Sequence, residues 1–219
     1  MPIRSSIAPP LARVTLDNPD KLNALTPEER FELGAVFEQL QHEPDVRAVV
    51  ISGAGRAFCA GADVGRMTDQ GLVASRTRMQ RGGHRLIVAL ANIEKPVIAA
   101  VRGAAAGMGW SIALAADFII ASETAKFSLA FVKRGLAPDA GAIHMLMRHI
   151  GQLRAKELVY TARAIDAQEA LALGLVTQVV PDAELEKATE ALAAKLCEAP
   201  TRAIGLSKKL FQFASGPSL

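Results

Sequence analysis

Two stretches constrain this chain more than any others. "RAVVISG" (Arg47–Gly53) and "KPVIAAVRG" (Lys95–Gly103) are nearly continuous apolar runs. A strand with one wet face alternates polar and apolar side chains. A strand without that alternation is buried on both faces, as inner strands of a parallel sheet are. Parallel strands need long crossovers, usually helical, and the sequence supplies them. "TPEERFELGAVFEQLQH" reads as a helix with Thr26 as N-cap and Pro27 at the first helical position. "RTRMQRGGHRLIVALANI" reads as a second, weakened by Gly82 and Gly83. "AAAGMGWSIALAAD" reads as an apolar helix. Others are expected at Ala140–Ile150, Leu153–Thr161, Ala167–Leu173, Glu184–Glu198 and Thr201–Phe213. "ARVTLD" (Ala12–Asp17), "FIIAS", "KFSLA" and "LVTQVV" (Leu175–Val180) read as further strands. The alternation predicts an α/β domain with right-handed crossovers and a helical tail.

The chain has 219 residues, half of them hydrophobic, enough for one domain with a substantial core. It has no uncharged apolar run of about 18 residues, so no membrane association is expected. "MPIRSSIAPP" lacks the apolar centre of a signal peptide, so the expected compartment is the cytoplasm. Cys59 and Cys197 have no metal-type spacing. The formal charge of +3 and pI of about 9.0 come from dispersed basic residues interleaved with acids. Such a surface suits an anionic small molecule, whereas nucleic acid usually meets a clustered basic stripe.

Each buried run is followed by a loop of very small residues. "RAFCAGADV" (Arg56–Val64) follows the first and "RGAAAGMGW" (Arg102–Trp110) the second. Ligands of α/β proteins bind beyond the ends of parallel strands, and the first N–H groups of a helix lack intrahelical partners. Two such loops can therefore aim main-chain N–H groups at one oxyanion while small residues keep the space open. "GAGRAF" does not make a dinucleotide fingerprint. Phe58 stands where the third glycine belongs, no helix clearly starts there, and no acid-ended strand follows about twenty residues on.

"NPDKLNAL", "ISGAGRAFCAGADV", "KPVIAAVRGAAAGMG", "KFSLAFVKRGLAPDAG" and "ALALGLVTQVV" together resemble, in order, the enoyl-CoA hydratase/isomerase (crotonase) superfamily over essentially the whole chain. The resemblance implies an α/β, crotonase-like (ClpP/crotonase) spiral of ββα repeats. It divides the chain into a core at residues 1–195 and the start of a C-terminal helical trimerisation region at 196–219. That region looks truncated, and a homotrimer or dimer of trimers is expected. The substrate would be an acyl-CoA thioester. Coenzyme A would arrive as part of it, with no resident cofactor and no metal. The implied oxyanion donors are Ala62 and Met108. Coenzyme A is placed along Lys21, Leu22, Ala24, Ala60, Asp63 and Val64, with Gly107 at the turn before Met108.

The acid–base residues select the reaction. Hydratases of this family carry two glutamates, at the places held here by Ser111 and Phe131. Asp139, in "RGLAPDAG", stands where isomerases of the superfamily carry a proton-shuttling acid. The pattern is most similar to phenylacetate-pathway isomerases acting on epoxyphenylacetyl-CoA and 3-enoyl-CoA esters. Apolar neighbours would raise the Asp139 pKa toward neutrality. Asp139 also occupies an N-cap position before "AGAIHMLMRHI", and the two roles can coexist. The alternatives are an enoyl-CoA hydratase and a non-catalytic acyl-CoA or RNA-binding protein. A Clp-type peptidase would need its nucleophile at Gly107, which has no hydroxyl. Cys59 reads as a small buried hydrophobe, and Asp63 as bonding to its own loop. Lys21 reads equally as a phosphate contact or an exposed turn residue. His84 lies in the region covering the acyl group in the family. His144 and His149 read as ordinary helix residues, Trp110 as core or pocket lining, and Asp117 is assigned no chemistry.

Overall fold

A computed structural model of the chain describes residues 2–63, 65 and 79–214. The two apolar runs form adjacent parallel strands, β3 (Ala48–Gly53) and β4 (Val97–Val101). Their side chains divide between two cores. Val49, Ile51, Val97, Ala99 and Val101 enter one, while Ala48, Val50, Ile98 and Ala100 enter the other. Alternation is thus present in the structure as two apolar faces, which is why it is invisible as polarity in the sequence.

Around this pair the main sheet is completed by β1 (Ile3–Ala8), β2 (Leu11–Leu16), β6 (Phe118–Ser122) and β9 (Gln178–Val180), in the order β1-β2-β3-β4-β6-β9. All neighbours are parallel except β1 and β2. A smaller sheet joins β5 (Ala104–Ala106), β7 (Lys126–Ser128) and β8 (Ile165–Asp166). The larger core is capped by α1 (Pro27–His42), α2 (Arg85–Asn92) and α3 (Met108–Leu114), through residues such as Leu33, Phe37, Leu86, Leu90 and Ile112. Downstream lie α4 (Ala142–Thr161), α5 (Ala167–Ala172), α6 (Leu185–Glu198) and α7 (Thr201–Ala214). Of these, α6 covers the second face of the sheet with Leu185, Ala193 and Cys197. Each fully buried large aliphatic or aromatic side chain contributes about 1.5–3 kcal/mol.

The start of α1 follows its sequence signature. Thr26 N–H donates to Glu29 Oε2 at 2.7 Å, and Glu29 N–H donates to Thr26 Oγ1 at 3.2 Å, closing a capping box with Pro27 in the first turn. At its other end the buried Lys95 ammonium donates to the carbonyls of Leu40 and Glu43, where a cation complements the helix terminus. Gly34 lets α1 approach α2 closely, since a methyl group there would stand 3.3 Å from Leu86 Cα.

Several elements differ from expectation, each for a local reason. β1 was not anticipated because all its residues but Ile3 are exposed, so it has no apolar pattern. The three alanines of β5 read as helical, yet pairing with β7 makes them a strand, an override of intrinsic preference. The second predicted helix falls within the described residues only from Met79, where a π-helical turn (Met79–His84) carries both glycines into α2. α4 begins at Ala142 rather than Ala140, because Ala140 and Gly141 take φ of 51° and 70°. The predicted break between Ile150 and Leu153 is real, and it lies at Gly151 (φ 73°, ψ 168°). Among the described residues no helix is long and apolar enough to cross a membrane.

Candidate active site

The loop after β3 is a ribbon held on both edges by main-chain hydrogen bonds. On one side Phe58 N–H donates to Arg102 O (2.8 Å), Cys59 N–H to Ala104 O (3.0 Å), and Ala106 N–H to Cys59 O (2.9 Å). On the other, Ala60 N–H donates to Leu22 O (2.9 Å), Leu25 N–H to Gly61 O (2.8 Å), and Asp63 N–H to Leu25 O (2.9 Å). Amides of an extended run alternate sides. With Asp63 N–H committed to Leu25, Ala62 N–H points away from it. The second turn stands close by. A Cβ on Gly61 would lie 3.5 Å from Met108 N and 2.7 Å from Ala106 O. Met108 opens α3, so its amide has no intrahelical acceptor. Among the described residues neither Ala62 N–H nor Met108 N–H donates a main-chain hydrogen bond. The two small-residue loops therefore meet, and each brings one uncommitted amide to the meeting.

The clamp depends on a residue that sequence reasoning passed over. Asn23 is 1% exposed and sits at φ 57°, a conformation Asn tolerates better than most residues. Its Nδ2 donates to the carbonyls of Ala54 (3.0 Å) and Ala57 (2.8 Å), and its Oδ1 accepts from Asn18 N–H (2.8 Å). Its main-chain carbonyl accepts from the Cys59 thiol at 3.1 Å. Cys59 is wholly buried, and burial pushes its thiol up to about 12. It is packing and not a nucleophile, as its sequence context predicts.

Asp139 lies between a short 3-10 turn (Val132–Arg134) and α4. Its Oδ1 is buried and has no hydrogen-bond partner among the described residues. Burial raises its pKa, partly offset by the Arg30 guanidinium and a main-chain hydrogen bond. The expected capping role does not hold. Gly141 is the N-cap of α4, no side chain caps the helix, and Ala142 N–H donates to the main-chain oxygen of Asp139 at 3.0 Å. The left-handed Ala140 and Gly141 move the helix start two residues on and leave the carboxylate free of that duty. The same loop is tied to the Met108 turn, because Phe131 places its ring 3.7 Å from where a Gly107 Cβ would stand. The buried Ser111 hydroxyl donates back to Gly107 O at 3.4 Å. Neither place supplies a carboxylate for water.

Arg30 is the second residue missed. The buried positions of α1 are Arg30, Leu33, Gly34, Phe37 and Leu40. That three–four spacing puts the arginine on the apolar stripe, a signal present in the sequence.

The residues expected along coenzyme A divide. Lys21 is exposed and ion-paired, Nζ to Asp63 Oδ2 at 2.8 Å, while Asp63 Oδ1 accepts from Gly65 N–H at 3.0 Å. Asp63 thus bonds to its own loop and also holds Lys21 over it. Leu22, Ala24 and Ala60 are half-buried on the ribbon and its neighbour, and Gly107 is the N-cap of α3. Val64 lies outside the described residues. His84 is exposed. His144 bonds Arg148 at 2.8 Å, and burial lowers the imidazole pKa of both His144 and His149. Trp110 is core, its ring 5.6 Å from that of Phe127. Asp117 is structural, accepting from Val97 N–H and Lys208 Nζ. A cavity of about 770 Å³ lies elsewhere, among α2, α4 and α7, and includes none of the expected site residues.

A profile of the family described as Enoyl-CoA hydratase/isomerase matches residues 7–217. A Rhodobacter capsulatus protein named "Probable enoyl-CoA hydratase" is 42% identical over 209 residues, 95% of this chain and 80% of the relative. The 1,2-epoxyphenylacetyl-CoA isomerase of Escherichia coli K12 is 35% identical over 225 residues, 99% of this chain and 84% of that one. A Thermobifida fusca structure in complex with CoA superposes with a TM-score of 0.91 at 34% identity, covering 100% of this chain and 87% of that one.

Proposed function

The chain belongs to the enoyl-CoA hydratase/isomerase family, and from that premise we propose that it is an acyl-CoA isomerase in which Asp139 carries the proton. The thioester oxygen of a 3-enoyl-CoA accepts from Ala62 N–H and Met108 N–H. The Asp139 carboxylate removes a proton from the carbon next to the thioester carbonyl, and the electron pair moves onto the held oxygen. As the enolate collapses, the proton returns to the far end of the former double bond, giving the 2-enoyl ester. Coenzyme A enters and leaves with the substrate along Lys21, Leu22, Ala24, Ala60 and Asp63. A donor aimed at a developing oxyanion is worth about 2.7–4 kcal/mol of barrier. A carboxylic acid with a raised pKa is a better match to proton transfer near neutral pH than an ordinary one.

The observation that carries the reading is the pairing of a buried Asp139 Oδ1, without a hydrogen-bond partner among the described residues, with the lack of any carboxylate at Ser111 and Phe131. The 42%-identical relative is named a hydratase, but hydration needs a group to hold and activate water. Here the Ser111 hydroxyl is bonded to its own helix and Phe131 is a hydrocarbon. The test is a panel of crotonyl-CoA, 3-hexenoyl-CoA, a dienoyl-CoA and epoxyphenylacetyl-CoA. Turnover of one of the last three, well above hydration of crotonyl-CoA, is expected. Rapid hydration of crotonyl-CoA would overturn the assignment. The expected assembly is a homotrimer or a dimer of trimers in the cytoplasm, to be measured by light scattering.

A further inference from the structure

The cavity of about 770 Å³ among α2, α4 and α7 takes no part in the reaction above. Pro96 and Phe118 in its lining stand at the N-terminal ends of β4 and β6, whereas the oxyanion loops follow the C-terminal ends of β3 and β4. It therefore lies at the other end of the sheet. Polar ties hold its walls in place. Gln212 Nε2 donates to Ala91 O at 2.8 Å, joining α7 to α2. Arg148 Nη2 donates to Phe211 O at 3.1 Å and to Gln212 O at 3.5 Å, joining α4 to α7. Lys208 Nζ donates to Asp117 Oδ2 at 2.7 Å, joining α7 to the start of β6. Between these ties Ala116 and Ala203 leave space, while Leu114, Phe118, Met145 and Ile204 supply hydrocarbon. A concave, mostly apolar space of this size with a few convergent polar groups is the usual form of a small-molecule site.

The charge of the lining selects the ligand. Asp117 is its one acidic residue, and Lys208, its side chain 10% exposed, neutralises that acid in an ion pair. Breaking a buried pair is strongly destabilising, so this one is wall and not a binding group. Arg148 is then the cation of the lining with no acid of the lining left to match it. His144, with a ring nitrogen 2.8 Å from Arg148 Nη1, and His149 stand on the same helix. Arg148 and His149 are exposed, which marks the mouth, where a ligand's charge keeps its contact with water. A guanidinium has five N–H donors in a planar fork, and the contacts to His144, Phe211 and Gln212 leave donors for a carboxylate. We propose that this cavity binds an anionic amphiphile, a carboxylate on a hydrocarbon chain, with Arg148 taking the carboxylate and the apolar walls taking the chain. A hydrocarbon amine would meet a like charge, and a neutral chain would leave the arginine unmatched. The proposal is independent of the roles given to Asp139, Ala62 and Met108.

The test is calorimetric titration of the whole chain with decanoate, decanol and decyltrimethylammonium, each below its micellar concentration. Decanoate should bind saturably at one site per chain, about ten-fold or more tighter than decanol, the size of a hydrogen bond to a charged group. The ammonium should not bind. Arg148→Gln keeps a donor for the α7 carbonyls and should weaken decanoate about ten-fold while leaving decanol unchanged. Ser207 is exposed and lines the cavity, so Ser207→Trp fills the space and should abolish binding of both. Circular dichroism checks the fold of each variant. A saturating non-reactive CoA ester should leave the decanoate affinity of the wild type unchanged. That competition and the three-probe comparison need neither variant. No saturable decanoate binding, binding untouched by both substitutions, or displacement by the CoA ester would overturn the proposal. Absent binding together with a lower mass for Ser207→Trp in light scattering would overturn it in favour of a second copy of the chain.

Discussion

Gly109 and Cys59 touch through their main chains, so closely that a methyl group on the glycine would stand 2.2 Å from the Cys59 carbonyl oxygen. The glycine is required by proximity, because the turn bearing Met108 is packed directly on the ribbon bearing Ala62. Gly109→Ala should push the two amides apart. The expected loss is about 10²–10³-fold in kcat, the size of one missing oxyanion donor, with a lower thermal midpoint. Steady-state kinetics and thermal unfolding of the same sample check both. Wild-type kcat in this variant would mean the contact does not set the amide positions.

Asp139→Asn should abolish double-bond migration while changing the dissociation constant of a non-reactive CoA ester by less than about two-fold. It should also carry a pH signature in stability. The folded protein raises the Asp139 pKa, so the native state binds that proton more tightly than the unfolded chain. The cost of ionising the group is absent below the unfolded value, about 4, and grows as pH rises through the folded value. Asparagine avoids this cost, so the variant should gain stability relative to wild type at pH 7–8 and lose that advantage toward pH 4. Chemical denaturation at several pH values measures it. An advantage that grew as pH fell would contradict the buried, raised carboxyl.

Phe131→Glu places a carboxylate where the family's hydratases have one, beside Gly107. It should raise the slow hydration of crotonyl-CoA, within the roughly 10²–10⁴-fold that general acid–base catalysis supplies. The buried Ser111 keeps the second carboxylate missing, so the gain should stay well below that range's top. Product analysis by chromatography distinguishes hydration from migration. No hydration above wild type would show that more than this one side chain separates the two reactions here.

Cys59 should resist alkylation in the native state. Its thiol is buried and held near 12, so almost no thiolate exists at neutral pH. Labelling with iodoacetamide, read by mass spectrometry, should track unfolding. Fast labelling of the folded protein would show that the clamp around Asn23 opens.

Thr26→Ala removes half of a capping box and should cost about 1 kcal/mol. The midpoint in urea should fall with an unchanged slope. Because the same residue begins the helix that carries Arg30 and follows Leu25, which is hydrogen-bonded to the ribbon bearing Ala62, a modest loss of kcat should accompany it.

Much of the candidate site's geometry was legible in advance because the chemistry proposed for it uses main-chain amides. Loops made of Gly and Ala after apolar strands advertise themselves, and the ribbon from Cys59 to Ala62 lies against Ala104–Met108 as expected. What was not legible is the hardware that holds the ribbon. Asn23 looks like any turn asparagine until three hydrogen bonds gather on its side chain. Arg30 was readable as an arginine on a core stripe, but only the folded structure shows that it is buried, with its Nε donating to Thr26 O. The N-cap expectation for Asp139 failed because two left-handed residues after it moved the helix start.

The sequence alone determined the α/β alternation, the doubly buried strands and the positions of both small-residue loops. These depend on local apolar pattern and on glycine's tolerance of close approach, both written in consecutive residues. The tertiary structure alone decided that Ala104–Ala106 is a strand, that Asp139 is freed from capping, and that Arg30 is buried. Each of these depends on which distant segment packs alongside, through hydrogen bonding and exclusion of water.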